Sequence, residues 1–290
     1  MKLRRIVLAL LAIGIAMLAY MYSVATREPV IREADIAMPD WPDGVPPMKA
    51  MLISDVHVAG PDMPPERLAQ IVEQVNAAKP DLVLFAGDFV SDKRTATRHY
   101  DPREGLAPLT GLNAPLGSVA VMGNHDHWFE LPKIRATLKK AGVEIIDNGA
   151  TIRGPLIIGG VDDDHTGRAR VPETLAAMDN IQANDSDNIA RARIMLSHSP
   201  DIMPQIPGKD AASYIPLVLA GHTHCGQISF PFIGALTYVS RYGDRYACGI
   251  VKENGKTIIV GAGLGTSILP FRLGAVPDMW LLTLGPKNSN

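Results

Sequence analysis

A layered α/β domain with sheet at its centre is predicted by three features of the sequence. Short apolar runs stop abruptly, helical spacings fill the intervals between them, and the last third of the chain is strand-rich. Each apolar run gives way at once to polar residues, and ligands of α/β sheets collect at such carboxyl ends. Composition agrees: of 290 residues, 47% are hydrophobic and 20% charged, the balance of a globular chain rather than a disordered one. Lys and Arg number 28 against 30 Asp and Glu, so no electrostatic footprint for a nucleic-acid partner is present. Two cysteines, Cys225 and Cys248, are too few for a disulfide scaffold; a single bridge is open to them in an oxidising compartment.

The first element is a membrane segment, residues 1–25. Lys2, Arg4 and Arg5 precede an uncharged stretch from Ile6 to Val24. At about 1.5 Å per helical residue the stretch spans about 28 Å, against a hydrocarbon core of about 30 Å. The cations hold their end in the cytoplasm and place everything after Val24 outside. Ser23-Val24-Ala25 also offers the small residues of a signal-peptide cleavage site, but the apolar run exceeds the usual h-region of about 7–15 residues, which favours an anchor. A buried core helix would leave the three cations without a purpose. Residues 26–47 carry Pro29, Pro39, Pro42, Pro46 and Pro47, and read as a stiff, extended tether outside any regular hydrogen bonding.

Residues 48–285 form one continuous pattern without a second linker. Met51-Leu52-Ile53, Leu82–Ala86 and Val119–Met122 read as buried strands, ending at Ser54-Asp55, Gly87 and Gly123. Between them, Leu68, Ile71, Val72 and Val75 recur at helical spacing until Pro80. Leu131–Ala141 reads as a second helix, with basic residues in its last turn and Gly142 at its end. Leu156–Val161, Ile194–Leu196 and Leu217–Ala220 are further short runs, and Tyr238–Val260 reads as hairpin material turning at Asn254-Gly255.

Five of the strand ends hold groups able to ligate a metal: Asp55-Val56-His57, Gly87-Asp88, Gly123-Asn124-His125-Asp126, His198, and Gly221-His222-Thr223-His224. A single Asp-x-His or a lone His is weak evidence, since most such histidines are structural. Five of the eight histidines at such ends, mixed with Asp and Asn oxygens, are not explained that way. Imidazole with carboxylate and carboxamide, and no thiolate, suits Mn, Fe, Zn or Co.

This series, D-x-H, GD, GNH, H and GH-x-H in this order and at these intervals, resembles the calcineurin-like metallophosphoesterases over nearly all of the chain after residue 47. The resemblance implies a sandwich of two mixed β-sheets flanked by helices, and a pair of divalent metal ions (Mn, Fe or Zn). Carried over by motif, Asp55, His57 and His224 would bind the first ion, and Asn124, His198 and His222 the second, with Asp88 bridging. A bridging hydroxide would then attack phosphorus in line, on a phosphodiester or pyrophosphate. His125, next to a ligand but not itself one, is the candidate general acid. Gly87, Gly123 and Gly221 let the backbone turn sharply and bring the next residue close to an ion.

Two departures from the family pattern stand out. Where the family has the last Asp of GD-x-x-D, which orients the GNH histidine, this chain has Ser91, with Asp92 one residue later; either Asp92 reaches His125 through a local bulge or the role is lost. Ser91 also lacks the phenolate that purple acid phosphatases place there. In the second half, Gly160-Val161-Asp162-Asp163, His198-Ser199-Pro200-Asp201, the run Gly221–Gln227, the run Gly263–Ser267 and Pro270-Phe271-Arg272 resemble a subgroup of membrane-associated or exported bacterial phosphodiesterases. Some of these are UDP-2,3-diacylglucosamine pyrophosphohydrolases of lipid A synthesis. That alternative conflicts with an exported domain, because the nucleotide sugar is cytoplasmic. An inactive scaffold of the same fold would have lost ligands, and none is lost here. The expected setting is a single-pass protein of a bacterial-type inner membrane, its catalytic domain extracytoplasmic, acting on a free or lipid-linked phosphoester.

Weaker features are read conservatively. Asp162-Asp163-Asp164-His165 fits a solvated acidic loop better than a third metal site, and Cys225 fits a bystander thiol. Phe230, Phe232 and Phe271 suit an apolar rim or plain core packing equally. Arg272 is a phosphate contact or a structural cation, and His127 and Trp128 are candidates for lining a cleft.

Overall fold

In the computed structural model, which describes residues 2–187, 189–230 and 232–286, two six-stranded mixed sheets pack face to face with helices outside each. Sheet one is built from β1 (Val30–Ala37), β2 (Met48–Ile53), β3 (Leu82–Ala86), β4 (Ser118–Val121), β5 (Val143–Ile145) and, far along the chain, β14 (Asp278–Gly285). Sheet two is built from β6 (Gly149–Arg153), β7 (Leu156–Val161), β8 (Ala192–Ser197), β9 (Leu217–Ala220), β12 (Gly249–Glu253) and β13 (Lys256–Val260). The remaining two strands, β10 (Ser229–Phe230) and β11 (Gly234–Ala235), form a small separate hairpin. The orders are β1-β14-β2-β3-β4-β5 and β12-β13-β9-β8-β7-β6, with antiparallel pairs only at β14–β2, β12–β13 and β7–β6 within these sheets.

Alternation along each strand divides the side chains between layers. Leu52, Leu84, Val119 and Val121 of sheet one face Ile158, Ile194, Leu196 and Leu219 of sheet two. From the other face of sheet one, Met51, Ile53, Val83 and Phe85 meet α2 (Pro65–Ala77) through Leu68, Ile71 and Val75. A long helix, α1 (Lys2–Thr26), precedes the sheets. The shorter α3 (Pro102–Gly105) and α4 (Asn124–Trp128) follow α2, and α5 (Leu131–Lys140) adds Ile134 and Leu138 to the same outer core. On the far side, α6 (Val171–Ala183) covers sheet two through Val171 and Met178. Removing one of these central leucines to Ala costs about 2–5 kcal/mol in such a core.

Residues 26–47 differ from the expected free tether. Prolines flank the segment Val30–Ala37 without interrupting it, and all eight of its residues pair in parallel with Asp278–Gly285. The same pairing brings in β14, whose buried run fills the place between β1 and β2. The expected hairpin is narrower than Tyr238–Val260: only 249–260 form it, turning through Asn254 and Gly255 at φ 51° and 77°. α1 contains the 18-residue window of mean hydropathy 2.2, none of it buried, so it is long and apolar enough to cross a bilayer.

Candidate metal centre

The ligand candidates stand on loops leaving the carboxyl ends of five strands. Asp55 and His57 follow β2, Asp88 follows β3, Asn124 follows β4, His198 follows β8, and His222 and His224 follow β9. Because these strands lie side by side near the middle of two facing sheets, seven side chains distant in sequence meet at one end of the sandwich. Five of the seven (Asp55, His57, Asp88, His222 and His224) hold left-handed φ between 49° and 71°. Non-glycine residues adopt that region rarely and at a cost, and such strain concentrates at functional sites.

Their donor atoms form two overlapping groups. In the first, His57 Nε2 lies 3.1 Å from His224 Nε2 and 3.9 Å from Asp55 Oδ1, and His224 Nε2 lies 3.5 Å from Asp55 Oδ1. In the second, His198 Nε2 lies 3.0 Å from His222 Nδ1 and 3.1 Å from Asn124 Oδ1. Asp88 Oδ2 stands between them, 3.4 Å from His57 Nε2 and 3.2 Å from His198 Nε2. Metal–nitrogen bonds of about 2.0–2.1 Å place neighbouring ligand atoms about 3 Å apart, so both groups fit a cation at their centre. His125 shares a ligand-sized cluster with His57 and Asp88, but its ring is turned edge-on to His57 at 4.7 Å between centroids.

Burial fixes the electrostatics. It drives His57, His222 and His224 well below the ordinary imidazole value, which keeps their nitrogens neutral and able to ligate. Burial also lifts Asp55 to about 6. His198 resists its own burial because Asp88 and Asp55 lie beside it, and it rises to about 10. His198 and Asp88 thus favour each other's charged forms, and a divalent cation held there would take the place of the imidazole proton. The Nδ1 of His198 donates to the Ala86 carbonyl at 2.7 Å, which aims Nε2 into the centre.

Two glycines have a different role from the one expected. Gly123 and Gly221 are not left-handed; a Cβ on them would fall 2.2 Å from Asp88 Oδ1 and 2.4 Å from Asp55 Oδ2, respectively. They are there to let a carboxylate lie against bare backbone. Gly87, at φ 79°, does make the turn.

Asp92 meets His125 Nδ1 directly, so the shifted acid reaches the histidine that Ser91 cannot serve. Sequence reasoning missed what holds that loop. Lys93, buried, donates to Asp62 Oδ1 and, at 3.0 Å, to Thr266 Oγ1, and Thr266 donates to Asp62 Oδ2 at 2.7 Å. Asp126, grouped above with residues able to ligate a metal, has a structural role instead, which sequence reasoning also missed. It is fully buried and accepts the backbone N–H groups of Asp88, Phe89, Val90 and Gly123 at 2.8–3.3 Å, locking the β3 loop to the β4 loop. Burial and the nearby Asp88 push it up to about 7 while the N–H donors pull the other way. The acid after Gly-Asn-His was its only signal.

The weaker candidates resolve as follows. Arg272 is fully buried and spends its Nη2 on the carbonyls of Gly265, Ala262 and Gly263, so it is structural and does not face a phosphate. Cys225 is bridged to Cys248, so the bystander thiol is corrected to a disulfide beside His224. The acidic loop is not simply solvated: Asp163 is buried, Asp162 pairs with His127 at 2.7 Å, and His165 packs between Trp128 and His222. Trp128 is 53% exposed beside His125, a position that lines the approach to the centre.

A two-sheet sandwich with carboxylate and imidazole groups gathered at its strand ends defines a metal-dependent phosphoric ester hydrolase. The chain belongs to the calcineurin-like phosphoesterase family, whose pattern matches residues 48–226. It is 30% identical over 274 residues to the uncharacterized metallophosphoesterase YkuE of Bacillus subtilis (strain 168), covering 92% of this chain and 87% of that one. An uncharacterized metallophosphoesterase of Aquifex aeolicus (strain VF5) is 32% identical over 248 residues, 83% of this chain and 87% of its own. A zebrafish (Danio rerio) protein described as a transmembrane protein with metallophosphoesterase domain is 28% identical over 97% of this chain, which spans 63% of it.

Proposed function

We propose that this chain is a membrane-anchored, dinuclear phosphoesterase that hydrolyses a phosphodiester or pyrophosphate bond. One observation carries the reading: the donor atoms of seven side chains, from five strand ends, converge into two groups that share Asp88. Asp55, His57 and His224 would hold one ion and Asn124, His198 and His222 the other. Bound there, two divalent cations supply charge neutralisation at the phosphoryl oxygens and a water acidic enough to attack at neutral pH.

The chain's own residues do the rest. Asp88 sets the spacing of the two groups. His125, with its side chain only 12% exposed, delivers a proton from Nε2 to the leaving oxygen. Asp92 fixes the ring by holding Nδ1 and steadies the imidazolium formed when the proton is reloaded. Ser267 Oγ, 3.4 Å from His125 Nε2, stands on the side of the ring from which that proton would leave.

For the membrane part, the support is α1 and the way it ends. Lys2 to Tyr20 are exposed, whereas Met21, Val24 and Ala25 are buried against the domain. Met21 carbonyl accepts from Arg272 N at 3.0 Å, and Tyr22 Oη donates to the Pro61 carbonyl at 3.2 Å. A cleavable leader has no need of such docking. The Cys225–Cys248 bridge supports an oxidising, extracytoplasmic side. Residues 1–25 are accordingly the anchor and 48–285 the hydrolase domain, with 30–37 completing its sheet.

The test is turnover of a phosphodiester, a phosphomonoester and a pyrophosphate by purified, Mn-loaded full chain, with metal content measured alongside. Hydrolysis with about two ions per chain supports the reading. Full metal loading without hydrolysis of any of the three would overturn it.

A further inference from the structure

Next to the metal centre lies a cleft whose walls are apolar. Thr223 and His224 form its floor, Leu236 and Val239 one lip, and Ile268 and Leu269 the other. The lips stay open to solvent: Leu236 is 69% and Ile268 70% exposed, and the turn of the β10–β11 hairpin adds Phe232 and Ile233 at 109% and 82%. Gln227 holds the Ile268–Leu269 lip in place, donating to the Leu269 and Phe271 carbonyls at 2.9 and 3.1 Å and accepting from Ser267 N at 2.9 Å. Bulky apolar side chains held in that arrangement have no packing role, and a contiguous patch of them marks an interaction surface.

The same loop identifies what covers it. Arg272, four residues beyond Ile268, bonds through its N–H to the carbonyl of Met21, where α1 passes from exposed to buried. Four residues of extended chain reach at most about 14 Å. The lip therefore stands within that distance of the point where the apolar, unburied helix meets the domain. The exposed, uncharged stretch Ile6–Tyr20 is about 22 Å long at 1.5 Å per residue, most of the depth of a bilayer core of about 30 Å. With α1 as the anchor, its boundary with the docked residues falls at the membrane surface, and the Ile268–Leu269 lip lies beside it.

We propose that the lips carrying Phe232, Ile233, Leu236, Ile268 and Leu269 are a membrane-docking surface that enters the lipid interface around α1. The domain then sits on the bilayer in one orientation, with the mouth of the metal cleft opening at the headgroups. Phe, Ile and Leu side chains inserting beside an anchor supply the second membrane contact that fixes orientation, which a single helix does not. The inference rests on the membrane-anchor part of the proposed function and is independent of its chemistry.

Tryptophan depth measurements test it. The full chain is placed in vesicles of phosphatidylethanolamine and phosphatidylglycerol brominated on the acyl chains, as wild type, Phe232→Trp, Ile268→Trp and Ile189→Trp. Ile189 is 38% exposed and precedes β8, at the end of sheet two away from His198. Exposed positions tolerate the change, so folding is retained. The added emission at positions 232 and 268 is expected to shift to the blue and lose more than half its intensity to bromine. That at 189 is expected to be quenched by aqueous iodide instead. If positions 232 and 268 behave like 189 while the chain resists alkaline carbonate extraction, the docking surface is wrong and the anchor stands. If carbonate releases the chain, the anchor fails and the docking surface with it.

Discussion

The strand-end face that carries the metal candidates and the edge closed by β1 belong to the same sandwich, yet they are held together in opposite ways. At the face, charge is concentrated and committed: Asp88 stands between two imidazoles, and Asp126 accepts four backbone donors. At the edge, β1 is exposed or half-buried at every residue, and eight backbone pairings share the load. Among the described residues, its one strong side-chain tie is Arg32 to Asp278 at 2.6 Å. The difference teaches where single substitutions should matter. A residue with many exclusive partners has no substitute, whereas a ladder tolerates losing one rung.

The largest effect should come from Asp88→Asn. It keeps the size of the side chain but removes the charge shared by both donor groups, so activity should fall about 10³-fold or more, the scale of losing a principal electrostatic stabiliser. Metal content should fall with it. Asn124→Ala, which removes one neutral oxygen from one group, should cost less. Equal losses in the two variants, measured by turnover and elemental analysis, would break the claim that Asp88 serves both ions.

Next is Asp126→Ala, read in stability rather than turnover. Four buried N–H groups lose their acceptor, and each unpaired one costs about 1–3 kcal/mol, so partial relaxation still leaves a loss of at least about 3 kcal/mol. Urea unfolding of both chains measures it. A change under about 1 kcal/mol would mean that water replaces the carboxylate and that the face is less committed than its bonding implies.

His125→Ala should slow alkyl esters by about 10²-fold, the lower end for a general acid, because bound cations also steady the leaving oxygen. Nitrophenyl esters, whose leaving group hardly needs a proton, should change little. Asp92→Asn should show the same selectivity, more weakly. A uniform loss over all leaving groups would make His125 a positioning group instead.

The two regions were also unequally legible in the sequence. At the face, strand ends followed closely by Asp, Asn and His name the chemistry locally, because each ligand leaves its strand within one to four residues to meet its partners. The role of Asp126 was not legible because it is to accept backbone N–H groups, and nothing in a sequence shows where those point. Asp92 was decided by a loop conformation that depends on the buried Lys93, Asp62 and Thr266, separated by up to 204 residues. At the edge, five prolines around residues 30–37 hid a strand, since proline forbids hydrogen bonding only where it stands. The pairing with β14 joins Val30 to Asp278, and no local pattern announces a partner so distant.

The smallest expected effect belongs to that edge. Asp278 is almost fully buried; burial raises its carboxyl above the ordinary 3.8, while bonds from Arg32 and the Ala262 N–H hold it down. A raised folded value means that this group's contribution to stability is greatest near and below its unfolded value, and is lost as pH rises through the folded one. Arg32→Ala removes the strongest opposing bond, so the folded value climbs further and the penalty at neutral pH grows. Because the Arg32 side chain is 41% exposed, the cost should be only about 1 kcal/mol near pH 7. Below about pH 4 the carboxyl is protonated in both proteins, and the difference should close. Urea midpoints at pH 7.5 and 3.5 decide it. A cost that stays the same at both values would assign Arg32 to packing, where its guanidinium lies 5.9 Å from the centre of the Trp280 ring, and the edge would then be held by contact and backbone pairing without help from charge.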